Sequence, residues 1–175
     1  WKQRYLTKIG NNNYTLPIQW NQATNRWVPY NLQNWYNQDG SLKSPVITNS
    51  FEMKCAACHN TGLELKKING GYESKYVELN TGCEKCHGPG SGHIKSPKAK
   101  GSIVNPRKLA YERAIEVCGQ CHSRGVSVPN GTFEFPWNDK DNKPYKLGEP
   151  LANYYQFKPG VWGDTQSHAR QHHQQ

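Results

Sequence analysis

Cys83-Glu84-Lys85-Cys86-His87-Gly88-Pro89-Gly90-Ser91-Gly92-His93 is the stretch whose reading decides the fold. It opens with Cys-x-x-Cys-His, the spacing of covalent attachment for a c-type haem. Two cysteines one helical turn apart can join the two vinyl groups on one haem edge, and the histidine next in sequence gives iron its proximal nitrogen. The pattern stands twice more, at Cys55-Ala56-Ala57-Cys58-His59 and at Cys118-Gly119-Gln120-Cys121-His122, and these three motifs use all 6 cysteines. Other readings account for less. Structural zinc takes four ligands, which three pairs do not supply evenly, and it gives no reason for the recurring histidine. A thioredoxin-like dithiol would be single and set in a βαβ context that the chain lacks. Disulfides explain even parity but not the histidine.

Composition agrees with a core built around haems. The chain has 175 residues, 34% of them hydrophobic, with 16 Gly and 11 Pro. Its mean hydropathy is −0.95. So polar a chain is short of material for a conventional core. The 6 Trp and 10 Tyr suit packing against porphyrin while keeping a polar edge wet. The formal charge is +9, but the basic residues are scattered among acidic ones, which speaks against nucleic acid. Haem propionates would remove about six of those charges, with ferric centres restoring some. No apolar run reaches the ~20 residues of a membrane span. Because c-type haem is attached outside the cytoplasm, the chain is expected to be exported, periplasmic or extracellular, with its signal peptide absent from this sequence. The abrupt ends read as those of a processed chain or a piece of a longer one.

The expected organisation is one multihaem domain over 1–175, with an N-terminal β meander over 1–30 and a haem-binding part over 50–175. The fold is expected to be mostly irregular, with a few short helices and small antiparallel hairpins. Trp1–Ile9 alternates as a half-buried strand. Tyr14, Leu16, Ile18 and Trp20 should share one face of a second strand, held to an edge or to one-sided pairing by Pro17. Residues 26–30 form the third strand, and 31–50 read as a loop ending at Ser50. Phe51–His59 should be a short helix. Asn69-Gly70-Gly71 should turn a hairpin between 63–68 and 72–79. The best helix is 106–122, capped by Asn105 with Pro106 at its first position. The aromatic residues of 124–161, among them Phe133, Phe135, Trp137, Tyr145, Tyr154 and Tyr155, should wrap haem faces. Gly88–Gly92 reads as a tight loop that permits close approach of another group. It is not a phosphate cradle, since it lacks the preceding strand and the following lysine.

Seven histidines are present. His59, His87 and His122 are proximal by position. His93, His168, His172 and His173 remain as candidate distal ligands. His93 reaches a neighbouring haem more easily than its own. At least one of the terminal three is expected to bind iron, with His168 and His172 on one helical face.

The Cys83–His93 stretch resembles the haem-plus-distal-histidine signature of multihaem cytochromes c related to the tetrahaem cytochrome c-554 and hydroxylamine oxidoreductase group. The Trp1–Trp27 block resembles a strand segment that follows an earlier haem in longer members. The resemblance implies closely spaced haems, mostly bis-histidine, that pass electrons between redox partner proteins or further multihaem subunits. By it His59, His87 and His122 are proximal ligands, and His93 is distal to a different haem. The chain departs in holding three haem motifs where members usually hold four or more. An electron carrier is the leading reading. A nitrogen- or sulfur-oxyanion oxidoreductase with one five-coordinate haem, and a self-assembling subunit of a haem filament, are the alternatives.

Overall fold

The computed structural model describes residues 1–122, 125–128, 138–141 and 143–157. The chain divides into two compact units, one of Trp1–Ala56 with Leu65–Ser74 and the other of Ala57–Glu64 with Lys75 onward.

The first unit begins with an antiparallel meander in the order β1 (Lys2–Ile9), β2 (Asn12–Asn21), β3 (Arg26–Pro29). Gly10 and Asn25, at φ 60° and 48°, turn its two connections. Pro17 does not confine β2 to an edge, since β2 is the middle strand. Leu6 pairs with Thr15 but Arg4 with Gln19, so Leu16–Ile18 stand opposite Tyr5 alone. Pro17 sits in this bulge, where its missing N–H costs no ladder bond, and its carbonyl still accepts from Tyr30 N at 2.9 Å. The bulge also switches faces. Tyr14 and Gln19 are buried whereas Ile18 is 42% exposed, so the single buried face expected over Tyr14–Trp20 ends at Pro17. β1 is exposed except at half-buried Thr7, not half-buried along its length. The rings of Tyr5, Trp20 and Trp27 cluster instead at centroid distances of 5.3–5.5 Å.

Residues 31–50 are irregular, with 3-10 turns at Leu32–Asn34 and Ile47–Asn49. Ser50 then caps α1 (Phe51–Lys54), its hydroxyl accepting from Met53 N at 3.3 Å. Fully buried Glu52 fastens α1 to the sheet. Its carboxylate accepts from Asn13 N at 3.1 Å and from Asn13 Nδ2 at 2.7 Å. The helix expected over 51–59 is broken at Cys55, where φ −127° and ψ −39° end α1, and α2 (Ala56–His59) follows. The expected hairpin is present as β4 (Glu64–Ile68) and β5 (Gly71–Lys75), with Gly70 at φ 73° in its turn.

The second unit carries α3 (Glu84–His87), α4 (Ser91–Lys95), α5 (Tyr111–Gly119) and the antiparallel pair β6 (Gly125–Ser127) with β7 (Tyr155–Phe157). The expected helix over 106–122 is shorter. Asn105 does cap Pro106–Lys108, accepting from Arg107 N at 3.1 Å, but that segment is a 3-10 turn. Leu109 and Ala110 are extended, with ψ 160° and 149°, before α5 begins. In that conformation Leu109 lies over Gly148, a tertiary contact that overrides helix propensity. Val117 and Gly119 are the buried positions of α5. A Cβ on Gly119 would stand 3.2 Å from Leu151, the centre of a small cluster with Tyr154, Tyr155 and partly buried Tyr145.

Phe133, Phe135, Trp137 and the three terminal histidines lie outside the described residues. Among the described residues no helix is long and apolar enough to cross a membrane.

Candidate haem-attachment sites

Each motif places its cysteines by local helical structure. In the second, Cys86 N and His87 N both donate to Cys83 O, at 3.2 and 3.0 Å. In the third, Cys121 N and His122 N donate to Cys118 O at 3.1 and 3.0 Å. The two cysteines therefore stand one turn apart with the histidine immediately beyond, as two thioethers and one proximal nitrogen require. No disulfide joins the six cysteines. Cys83 and Cys118 are exposed, and Cys55, Cys58, Cys86 and Cys121 are half-buried.

Within the second unit the three motifs touch through the same variable position. Lys85 Nζ donates to Ala57 O at 2.5 Å, and Gln120 Nε2 donates to Lys85 O at 3.0 Å. Ala57, Lys85 and Gln120 are each the residue just before the second cysteine. These two bonds form a clasp that also gathers the thiols. Cys121 hydrogen-bonds Cys58, and Cys86 feels both Cys118 and Cys121. The Cys121 thiol is pushed up chiefly by that bond and then by burial. Burial is the main cause for Cys86, and for Cys55 in the first unit. All three stay protonated at neutral pH, so none is a reactive thiolate.

Two histidines hydrogen-bond the segment Ser102–Val104. His87 Nδ1 lies 2.8 Å from Val104 O. A carbonyl only accepts, so Nδ1 carries the proton and Nε2 keeps its lone pair. His87, Leu63, Ile103, Val104, Tyr145 and Leu147 line a cavity of about 690 Å³, inside the range of cofactor sites. The donor set fits covalent haem: paired thiols, a neighbouring imidazole in the ligating tautomer, and an apolar wall beside it.

His93 lies in α4, half-buried, with Nδ1 3.2 Å from Ser102 Oγ. The loop before it folds back on α3 as Gly90 N donates to Glu84 Oε1 at 2.6 Å. Gly88 needs its φ of 78°, and a Cβ on Gly90 would crowd Glu84 at 3.2 Å, whereas Gly92 faces open space. Backbone conformation thus explains Gly88 and close approach Gly90, while neither accounts for Gly92. His59 and His122 are exposed. His168, His172 and His173 lie outside the described residues.

Lys85, Gln120, Ser102 and Val104 were not legible as site residues. The first two occupy positions that the attachment motif leaves free, and the other two lie 9 and 17 residues from their histidines.

The family model described as cytochrome c554 and c-prime matches residues 20–88, which contain the first two motifs whole. The outer cell wall cytochrome OcwA is 29% identical, with a TM-score of 0.63, covering 95% of this chain and 32% of that one. In sequence and in fold the chain resembles multihaem cytochromes c. It spans about a third of the length of OcwA. An undecaheme cytochrome from the S-layer of Carboxydothermus ferrireducens is also similar, at 21% identity and a TM-score of 0.43 over 69% of this chain and 18% of that one. Comparison with curated proteins found no match. The short helices and small antiparallel sheets of this chain accord with the mostly irregular, multihaem fold expected from its motifs.

Proposed function

We propose that this chain is an electron-transfer module with three covalently held c-type haems, attached at Cys55/Cys58, Cys83/Cys86 and Cys118/Cys121. The observation that carries this reading is the clasp, since a wire needs contiguous cofactors and Lys85 and Gln120 join the three motifs directly. When bound, haem supplies a one-electron iron couple. The chain's own residues then hold and orient it. His59, His87 and His122 serve as proximal ligands, His93 as a distal ligand to a haem other than its own, and at least one of His168, His172 and His173 as another. Bis-imidazole ligation keeps iron geometry constant between oxidation states and favours transfer over turnover.

The sparse core supports haem as core material. Among the described residues the buried apolar side chains are Tyr14, Met53, Ala56, Tyr72, Val117, Leu151, Tyr154 and Tyr155, few for a domain of this length. Likeness to an outer cell wall cytochrome supports an exported setting, extracellular or periplasmic, and redox proteins or further multihaem subunits as partners.

Intact mass with low-temperature EPR of the oxidised protein tests the proposal. The expected result is the mass of three haems with low-spin signals only. A high-spin signal that shifts on adding nitrite or hydroxylamine would overturn it in favour of an oxidoreductase with one open iron.

A further inference from the structure

Ser102 stands between two groups. Its Oγ donates to Ala99 O at 2.8 Å and meets His93 Nδ1 at 3.2 Å. A hydroxyl has one hydrogen, and the Ala99 carbonyl can only accept, so that hydrogen is committed there. The Ser102 oxygen therefore faces His93 as an acceptor. His93 Nδ1 carries the ring proton, and Nε2 is the nitrogen with the lone pair. Two residues further on, the Val104 carbonyl imposes the same tautomer on His87. One short segment thus selects the ligating nitrogen of two histidines that lie six residues apart. For His87 the selecting group is backbone and is present whatever the side chain. For His93 it is one hydroxyl, which makes Ser102 specific.

We propose that Ser102 is a positioning residue for iron ligation by His93, fixing both its ring orientation and its tautomer. The inference rests on the distal role given to His93 above. Donation from Nδ1–H into Ser102 Oγ also makes the imidazole more electron-rich, which strengthens its hold on ferric iron and lowers the potential of the haem it serves.

The test uses the haem-loaded protein in native form and as His93→Ala, Ser102→Ala and Ser102→Thr, with EPR, potentiometry and carbon monoxide titration of the reduced state. His93→Ala identifies the haem concerned as the one that newly binds carbon monoxide. At that haem alone, Ser102→Ala is expected to shift the low-spin g values, raise the midpoint potential and tighten apparent carbon monoxide binding about tenfold, the usual scale for loss of a ligand's supporting hydrogen bond. Ser102→Thr, which keeps the hydroxyl, should restore all three. If His93→Ala opens a haem while Ser102→Ala leaves that haem native, the positioning role is overturned and the ligand role stands. If Ser102→Ala shifts every haem alike, the residue acts on packing and the proposal again fails. If His93→Ala opens no haem, the ligand role falls and the inference falls with it. Should Ser102→Ala not yield loaded protein, Ser102→Gly removes the same hydroxyl.

Discussion

Glu52 is 1% exposed, and its carboxylate is held by both the backbone and side-chain amides of Asn13. Removing it leaves two half-buried Asn13 donors without an acceptor, so Glu52→Ala should cost about 1–3 kcal/mol, read as a lower denaturant midpoint of the haem-loaded protein. Ser50→Ala, which removes only a helix cap, should cost about 1 kcal/mol in the same assay. A third residue, Tyr145, gives a pH dependence. Burial first, and then the nearby Glu116 carboxylate, push its phenol up to about 12 from an ordinary 10. The folded state keeps that proton where the unfolded chain has lost it. The resulting stability is complete below pH 10 and disappears as pH rises toward 12. Tyr145→Phe should therefore move the alkaline unfolding midpoint, followed by near-UV circular dichroism, to higher pH.

At the scale of elements, the clasp ties the helices of the three motifs to one another. Lys85→Met keeps the aliphatic stem but removes the donor to Ala57 O. It should leave all three attachments intact and cost about 1 kcal/mol. Reduced splitting of the Soret circular dichroism band, which reports coupling between neighbouring haems, would show that the helices have shifted. An unchanged band would show that the clasp does not set their geometry. The hairpin around Gly70, the helix start after Ser50 and the Asn105 cap were legible in the sequence because each rests on residues a few positions apart. The exceptions were decided at longer range. Pro17 sits in a middle strand because a bulge defined by the partner strand removes its conflict. The break at Leu109 and Ala110 follows a contact with Gly148, 39 positions away from Leu109. The one-turn spacing within the second and third Cys-x-x-Cys-His motifs was legible, since it rests on local backbone bonds to Cys83 O and Cys118 O. Their supporting hydrogen bonds were not, because Lys85 to Ala57 spans 28 residues and Gln120 to Lys85 spans 35.

Across the whole molecule, the nearness of Cys58 to Cys121 has a consequence for biogenesis. Thiols that share a hydrogen bond are placed for cross-linking when a disulfide-donating oxidant is present, two electrons and two protons leaving with it. A chain that closed the clasp before maturation would expose itself to this dead end, with one cysteine taken from each of two motifs. Attachment must then precede closure, or a reductant must accompany the nascent chain. The unmodified polypeptide, oxidised and digested, should yield a Cys58–Cys121 linked peptide that dithiothreitol dissolves. Lys85→Met should yield less of it. The same contact that would bring two cofactors together in the finished protein would thus act beforehand as a clock, tying the timing of reduction and attachment to that of folding.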